Sequence, residues 1–479
     1  MRTHIWLLSI LLLAAPASAE PKKLVIELTT LNLMREKGII SQAEYDSAMH
    51  DLADSVGEQA GESTSLMVGK WSTTFYGFAE TDLNYDTTQS FTDLPGNTQV
   101  ARPGTFTGDN ARFTFAVRNS RLGFRLRAPE YHKVRASAQL EMDFLGPSAA
   151  TTESATFTSP SFRIRHFNLK LETPIVDVLI GQYWHLFGWQ SIYHPNTVEI
   201  QGVPGQIYSR TAQIRVSKTI KTDPVTLEFA IAMMRPVQRD SATPEGEAGV
   251  RLAFNKWTGM TTAGGAGTSI QPLSFAVTAD LRHFELAEFS AAPKVTVPKT
   301  GWAIAADAYI PLVRATKTHR SNALSINAEY SWGLGDADMF TQLNGGITPA
   351  PKLPNPMMVT PAPVYTPNVD PGFVAFNADG TLHLIQWQSY LFGVQYALPA
   401  LNGRMWVSAN YSHMDSNNSR LHGDAAKTRA AEDWVDANLF ADVTPSVRLG
   451  LEYAWFDDHY VDGKDAINHH IQLSAWYLF

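Results

Sequence analysis

Over most of the chain, apolar and polar residues alternate with a period of two, the mark of strands that turn successive side chains to opposite faces. Between Val134 and Phe144 the apolar set is Val134, Ala136, Ala138, Leu140, Met142 and Phe144, and the polar set is Arg135, Ser137, Gln139, Glu141 and Asp143. Leu324 to Trp332 and Val447 to Trp455 repeat the alternation. So does the chain end, where Ile471, Leu473, Ala475, Tyr477 and Phe479 share one face and His470, Gln472 and Ser474 the other. Lipid outside a barrel and water inside it produce this pattern. Extended along the chain, it predicts about sixteen strands. They fall near 71–85, 112–127, 133–144, 162–172, 176–183, 210–219, 223–235, 248–256, 271–284, 300–311, 321–332, 383–398, 403–413, 432–443, 445–456 and 468–479.

The connections carry a second rhythm. Short links at Thr173-Pro174, Lys221 to Pro224, Pro399 to Gly403 and Thr444-Pro445 alternate with longer ones at 86–111, 145–161, 184–209, 236–247, 285–299, 333–382, 414–431 and 457–467. Periplasmic turns and extracellular loops alternate in this way, whereas a soluble sandwich has no reason to. The Gly/Thr-rich link 257–270 is long for a periplasmic turn and leaves that strand boundary open. Parity slips near Asn119-Ser120, which fits a bulge in one strand or a tight turn between two. Arg163 and Arg165 share parity with Phe167 and Leu169, so either a bulge near His166 turns them inward or they lie at the membrane edge. The loop 333–382, with its prolines from Pro349 to Pro371, is an ordered extracellular flap or a mobile cover, since proline does not suit a strand.

The first seventy residues differ. Arg2, the apolar run Ile5 to Ala15 and the small residues Ala17-Ser18-Ala19 match a secretory signal, which makes 1–19 a leader. In 20–56, Leu24, Leu28 and Leu31 and then Tyr45, Met49, Leu52 and Val56 sit at helical spacing, with Ser41 and Glu44 as a capping box between the two stripes. Helices this short need partners, in each other or in neighbouring copies. Residues 57–70 read as a linker, and 71–479 as the barrel. The expected fold is thus all-β, a transmembrane antiparallel β-barrel preceded by a short periplasmic α-helical segment. No stretch approaches the ~20 apolar residues of a membrane helix, so an exported membrane protein of this sequence spans only as a barrel.

Composition agrees with this reading. Charged residues are 18% of the chain, and 12 Trp, 16 Tyr and 24 Phe are present; an average soluble protein has ~25% charged residues. The absence of cysteine removes disulfides and thiolate metal sites. A net charge of -8 without a basic block argues against nucleic acid as a partner. No cofactor is expected.

By parity, the early strands turn Arg112, Arg118, Arg121, Arg125, Arg127, Arg135 and Arg215 inward, with Arg210 at a strand start, against only Glu141 and Asp143. From the ninth strand on, the inward charges are mainly Asp280, Asp307, Glu329, Asp436, Asp442 and Glu452, with Arg282, Arg404 and Arg448 among them. Such a wall makes a transverse field across the lumen, and a row of Arg121, Arg125, Arg135, Arg210 and Arg215 would favour small carboxylates. The loop 184–209 is too apolar for water, with Trp184, Leu186, Phe187, Trp189, Ile192 and Tyr193, and folding into the lumen would bury it. Packing on a neighbouring subunit is the alternative. Its Glu199 either faces the arginine row or lies on the loop surface. His413, His422, His459, His469 and His470 are joined to no nucleophile motif, no metal-ligand spacing occurs, and no enzyme is expected.

Several blocks resemble known families. Arg35 to Ser41, within Leu31 to Met49, resembles the helical SHOCT-like modules, which implies an oligomerisation or linker role. The alternating terminal strand ending on Tyr477 and Phe479 resembles the assembly signal of outer-membrane barrels, which implies recognition by the barrel assembly machinery. Asn119 to Phe124, Gln139 to Phe144, Gly181 to Trp184 and Arg210 to Arg215 resemble successive blocks of the DcaP-like trimeric outer-membrane transporters. That resemblance covers residues 70–220 and the rest by architecture. It implies a trimeric porin in the outer membrane of a Gram-negative-type bacterium, with periplasmic N-terminal helices and passive uptake of small hydrophilic solutes. It also implies a preference for small anions such as dicarboxylates, with Arg121, Gln182, Arg210 and Arg215 lining the channel. A phosphate-selective porin, for which the lumen lacks a lysine-rich wall, and a structural or adhesive barrel are the alternatives.

Overall fold

A computed structural model describes residues 34–35, 37, 41 and 65–479, apart from 69–70, 97, 147–159, 200, 239–240, 263, 266, 289–291, 342, 344–371, 377–380 and 422–424. The chain divides into two units, Met1–Glu62 and Ser63–Phe479. The expected leader lies outside the described residues, as does nearly all of the helical segment. Among the described residues no helix is long and apolar enough to cross a membrane.

Sixteen strands close into one antiparallel barrel, and Ser65–Val68, expected as part of the linker 57–70, is instead a short strand antiparallel to Trp71–Thr74. They are β1 (Trp71–Asp86), β2 (Arg112–Ala116, resuming at Arg121–Arg127), β3 (Arg135–Gly146), β4 (Ser161–Glu172), β5 (Asp177–Trp184), β6 (Arg210–Lys221), β7 (Val225–Met234) and β8 (Glu245–Thr261), then β9 (Ser269–Ala287), β10 (Thr296–Val313), β11 (Leu324–Leu334), β12 (Gln386–Ala397), β13 (Met405–Asp415), β14 (Arg429–Thr444), β15 (Val447–Tyr460) and β16 (Asp465–Leu478). Each pairs with its neighbours in sequence, and β16 returns to β1 in the register Phe78↔Leu478 through Asp86↔His470. Closure leaves no edge to pair with another chain. At the seam, Gly77 and Phe479 exchange backbone hydrogen bonds of 2.9 and 3.1 Å, and the Phe479 ring stacks on Phe75 at 4.9 Å. Gly77 has φ +153°, and a Cβ there would stand 2.1 Å from the Arg121 carbonyl oxygen, so only glycine fits the closing strand.

The period-two reading carries over to the two faces. Leu169, Ile231, Val277, Ile304, Leu451 and Leu473 are exposed on the outside, where lipid covers them. Their alternates, among them Asp82, Asp280, Asp307, Glu329, Glu452 and Gln472, are buried in the lumen. The parity slip at Asn119-Ser120 is a four-residue interruption of β2 at 117–120, with both halves paired to β1. The inward set therefore changes from Thr114 and Ala116 to Arg121 and Gly123.

The doubtful link 257–270 resolves differently from its reading as a long turn. β8 slips register between Phe254 and Thr258 and continues to Thr261, leaving the turn 262–268 (T4). The link expected at 457–467 is also shorter, because β15 runs to Tyr460 and β16 begins at Asp465. The loop after β11 (L6) sends its described ends inward. Met339, Phe340, Phe373, Ala375 and Ile385 are fully or almost fully buried and pack with Phe187 and Ile207. Its proline run lies outside the described residues.

Candidate functional site

The loop 185–209 (L3) folds into the lumen, as its apolar content predicts. Leu186, Phe187, Trp189, Tyr193, Val198, Val203 and Ile207 are all buried. Its first turn doubles back at Gly188, φ +69°, where a Cβ would meet Ile207 at 2.8 Å. An irregular segment inside a barrel must find partners for its N–H groups. The acidic side of the wall supplies them. Glu247 of β8 accepts the Leu186 and Phe187 N–H groups at 2.6 and 3.0 Å and faces His185 Nδ1 at 2.6 Å. Glu329 of β11 accepts the Ile207 N–H at 2.8 Å. Glu452 of β15 accepts Thr197 Oγ1, the Val198 N–H and the Glu199 N–H at 2.7, 2.9 and 3.0 Å. Ser389 and Ser412 donate to the Gly205 and Pro204 carbonyls, 2.6 Å each.

The acidic half of the wall is therefore largely occupied by L3, and the arginine half stays open. A cavity of about 340 Å³ lies between that half and the inner edge of L3, lined by Arg121, Arg125, Gln139, Glu141, Arg165, His166 and Tyr183 on one side and by His194, Thr197, Glu199, Gln206 and Tyr208 on the other. T4 contributes Thr262, Gly264, Gly265 and Gly267. This turn bends in across the lumen: Arg448 of β15 donates to the Gly264 carbonyl at 2.7 Å, and Asn196 of L3 donates to the Thr262 carbonyl.

A bulge shapes the arginine wall. Glu141 pairs with His166 and the next residue, Met142, with Ile164, so Arg165 is skipped in the register and turns inward. It is 1% exposed, with Nε 2.8 Å from Glu141 and Nη1 3.3 Å from Asp143. Arg163 binds Asp143 at 2.6 Å, and Arg121 stands 3.7 Å from Glu141. Three guanidiniums thus share two carboxylates. Arg121 lies over Phe78 at 5.1 Å and Arg125 over Tyr76 at 4.0 Å, which holds flexible side chains in place through cation–π contact. Tyr208 of L3 feels the same field. Burial alone raises its pKa, but Arg165, Arg210 and Arg121 bring it down to about 8. His194 is pushed down to about 4 by burial and the same arginines, and stays neutral.

The sequence-predicted residues divide accordingly. Arg121, Arg125 and Glu199 line the cavity. Arg210 does not line it directly, but its guanidinium sits 4.7 Å over Trp184 and 5.2 Å over Tyr208, both of which do. Arg135 stands apart, at the periplasmic rim, two-thirds exposed and 3.2 Å from Glu172, because parity sets the face but not the depth. Arg215 faces inward yet is spent on structure, donating from Nη2 to the Trp184 carbonyl at 2.6 Å and so holding the base of L3. Gln182 is not a lining residue. Its Nε2 donates to the Ile164 and Arg165 carbonyls at 2.9 and 3.2 Å, which braces the bulge that presents Arg165. Glu199 faces the arginines only across the cavity, and its charged neighbours include Glu80, Asp82, Glu452 and Asp93. Among the lining residues that the sequence reading did not assign are Arg165, His166, Tyr183, His194 and Tyr208. For Arg165 the parity conflict was the visible signal.

The histidines divide between the faces. His470 is in the lumen, 2.9 Å from Asp86. His413 and His459 both contact Asp433 on the outward face, where Asp457, His459 and Asp465 could each offer one atom to a common ion. His422 lies outside the described residues.

A closed sixteen-stranded barrel with an infolded third outer loop defines the porin-type outer-membrane fold. No family model matches the chain, and no curated protein does. Among solved structures, the outer-membrane channel DcaP of Acinetobacter baumannii shares this fold, with a TM-score of 0.61 at 16% identity over 88% of this chain and 100% of that one. The anion-selective porin from Comamonas acidovorans aligns at 0.47 and 11% identity, over 85% and 100% of the two chains. OmpT, an outer membrane protein of Vibrio cholerae, aligns at 0.46 and 10%, over 87% and 99%.

Proposed function

We propose that this protein is an outer-membrane porin for passive passage of small hydrophilic solutes, with a preference for small anions such as dicarboxylates. It works as a homotrimer and transforms nothing. The observation that carries the reading is the division of the lumen: L3 is seated on the acidic wall, and the cavity left beside it is lined by Arg121, Arg125 and Arg165. Guanidinium forks bind both oxygens of a carboxylate and keep their charge at any working pH. Local charge outweighs the net -8 of the chain, because exposed charges beyond ~8 Å are largely screened at physiological salt.

The test is a planar bilayer with a salt gradient. The wild type is expected to conduct with an anion-selective reversal potential and to be blocked by succinate. Arg121→Ala with Arg125→Ala should move the reversal potential toward zero and weaken the block by about 10-fold or more, the size of one lost charge-assisted hydrogen bond. A cation-selective wild type, or a double variant with unchanged selectivity, sinks the reading.

A further inference from the structure

Outside the bore, toward the extracellular ends of β13 to β16, the outward face of the wall carries a cluster of ionisable side chains. Asp433 of β14 and Asp457 of β15 stand directly opposite each other, and like charges so placed repel. Asp465, the first residue of β16, is the cross-strand partner of His459 on β15. Asp457 and His459 are two positions apart on one strand and share its face. The β15–β16 hairpin thus gathers three residues that no spacing in the sequence announces.

His459 is held between two carboxylates. Its Nε2 lies 3.0 Å from Asp433 Oδ2 and its Nδ1 2.8 Å from Asp465 Oδ1. A neutral imidazole has one N–H, so it donates on one side and turns a lone pair toward the carboxylate on the other. Asp433 is the braced partner: its Oδ1 accepts the Tyr411 hydroxyl at 2.7 Å and faces His413 Nδ1 at 2.9 Å. With the proton on that side, the Nδ1 lone pair points at the Asp465 oxygen. Asp457 completes the set. It is 9% exposed, and its Oδ1 has no hydrogen-bond partner among the described residues. One atom each from Asp457, His459 and Asp465 fall within 4.8 Å of one another. The cluster opens on the side of Asp465 and His459, whose side chains are 59% and 34% exposed, and Asp457 forms its buried end.

We propose that Asp457, His459 and Asp465 form a site for a divalent transition-metal ion of the Zn²⁺ type on the outer wall, away from the passage. A cation between Nδ1 and the Asp465 carboxylate turns a contact between lone pairs into two bonds, and it gives Asp457 the partner that its idle oxygen lacks. The repulsion between Asp433 and Asp457 is offset at the same time. The nitrogen donor sets the class of metal. Mg²⁺ and Ca²⁺ take oxygen ligands, whereas imidazole joined by carboxylates suits Zn²⁺. Three protein ligands leave the fourth position of a tetrahedral ion to water. Asp433, fixed by Tyr411 and His413, is then the carboxylate behind the histidine that sets its tautomer and the direction of its ring. The bound ion ties the outer ends of β15 and β16 across the turn 461–464.

The experiment uses the untagged full chain in detergent, stripped of metal with a chelator, with Zn²⁺ as the probe in excess Mg²⁺ and Ca²⁺. Bound metal is counted after equilibrium dialysis. The wild type is expected to hold one Zn²⁺ per chain. Asp457→Asn, which removes the buried ligand, and Asp465→Asn, which changes an exposed side chain at a strand end, should each lose the ion. Asp433→Asn leaves the three ligands in place but frees the ring, and should weaken binding by about 10- to 100-fold. Heat-modifiability of each variant on a gel separates loss of the ion from loss of the barrel. Single-channel conductance of the wild type should be the same with and without Zn²⁺, because the site is outside the bore. A wild type that binds no Zn²⁺ overturns the proposal, and so does binding that Mg²⁺ or Ca²⁺ displaces or that survives Asp457→Asn and Asp465→Asn. Block of the current by Zn²⁺ puts the ion in the lumen and overturns it equally.

Discussion

Tyr208 shows how one side chain registers the field of the whole site. Its phenol lies among Arg165, Arg210 and Arg121, and their attraction for the phenolate outweighs burial to leave the pKa near 8. Below that value the group is neutral and the cavity keeps its full positive charge. As pH rises through about 8, a negative charge appears beside the guanidiniums, so anion preference should fall. Reversal potentials of the wild type across that range are expected to drift toward cations, and those of Tyr208→Phe to stay level. A wild type with no drift, or a variant with the same drift, refutes the assignment. Such a residue is hard to find from sequence, because L3 has no period and its path decides which groups meet. The strand residues are more legible: Arg121 and Arg125 sit where parity puts them. Arg165 depends on a bulge that exists only relative to β3, so the sequence left two readings open. Arg135 and Arg215 point inward as parity says, but depth along the barrel and the competing claim of the Trp184 carbonyl are three-dimensional facts.

Among the elements, L3 is the one whose loss would alter the lumen most. Its hold on β8 is concentrated in Glu247, which is fully buried and binds His185 and two backbone N–H groups. The His185 imidazole is pulled down by burial but raised overall by this carboxylate, which favours the charged pair. Breaking a buried pair by removing one partner costs about 3–5 kcal/mol. Glu247→Ala should therefore loosen the first turn of L3 without opening the barrel. The expected result is larger, noisier single-channel current and new protease cleavage in 185–209, with the folded barrel still heat-modifiable on a gel. A variant with wild-type conductance and protection shows that the loop is held elsewhere. The sequence made the infolding legible through six large apolar residues in a loop. It did not reveal the anchors, because Glu329 and Glu452 read simply as lumen charges and Glu247 fell in the link 236–247.

At the scale of the molecule, the seam between β16 and β1 decides assembly. Phe479 contributes two backbone bonds and a ring stack, and Tyr477 faces outward beside it. Deleting Phe479, or replacing both residues with Ser, should cut the amount of heat-modifiable barrel in the outer membrane several-fold while export continues. Unchanged barrel levels would deny these residues a part in assembly. The N-terminal segment is expected to act between copies: its apolar stripes need partners, and a variant lacking 22–62 should conduct normally but run as monomer at lower detergent or temperature than the full chain. A truncated protein that stays trimeric and stops conducting would move that segment into the pathway.

L3 also has a mechanical meaning. Its first turn is tied to β8 through Glu247 and its middle to β15 through Glu452, and these strands are seven positions apart in a ring of sixteen. They are nearly diametrically opposite. A wide cylinder with only water inside can flatten under the lateral pressure of a bilayer, since a hydrogen-bonded wall bends more easily than it stretches. A chord fastened at both ends resists that flattening in one direction. The same loop that narrows the passage thus works as a tie beam, and the bore beside it keeps its shape because the wall cannot move away from the beam.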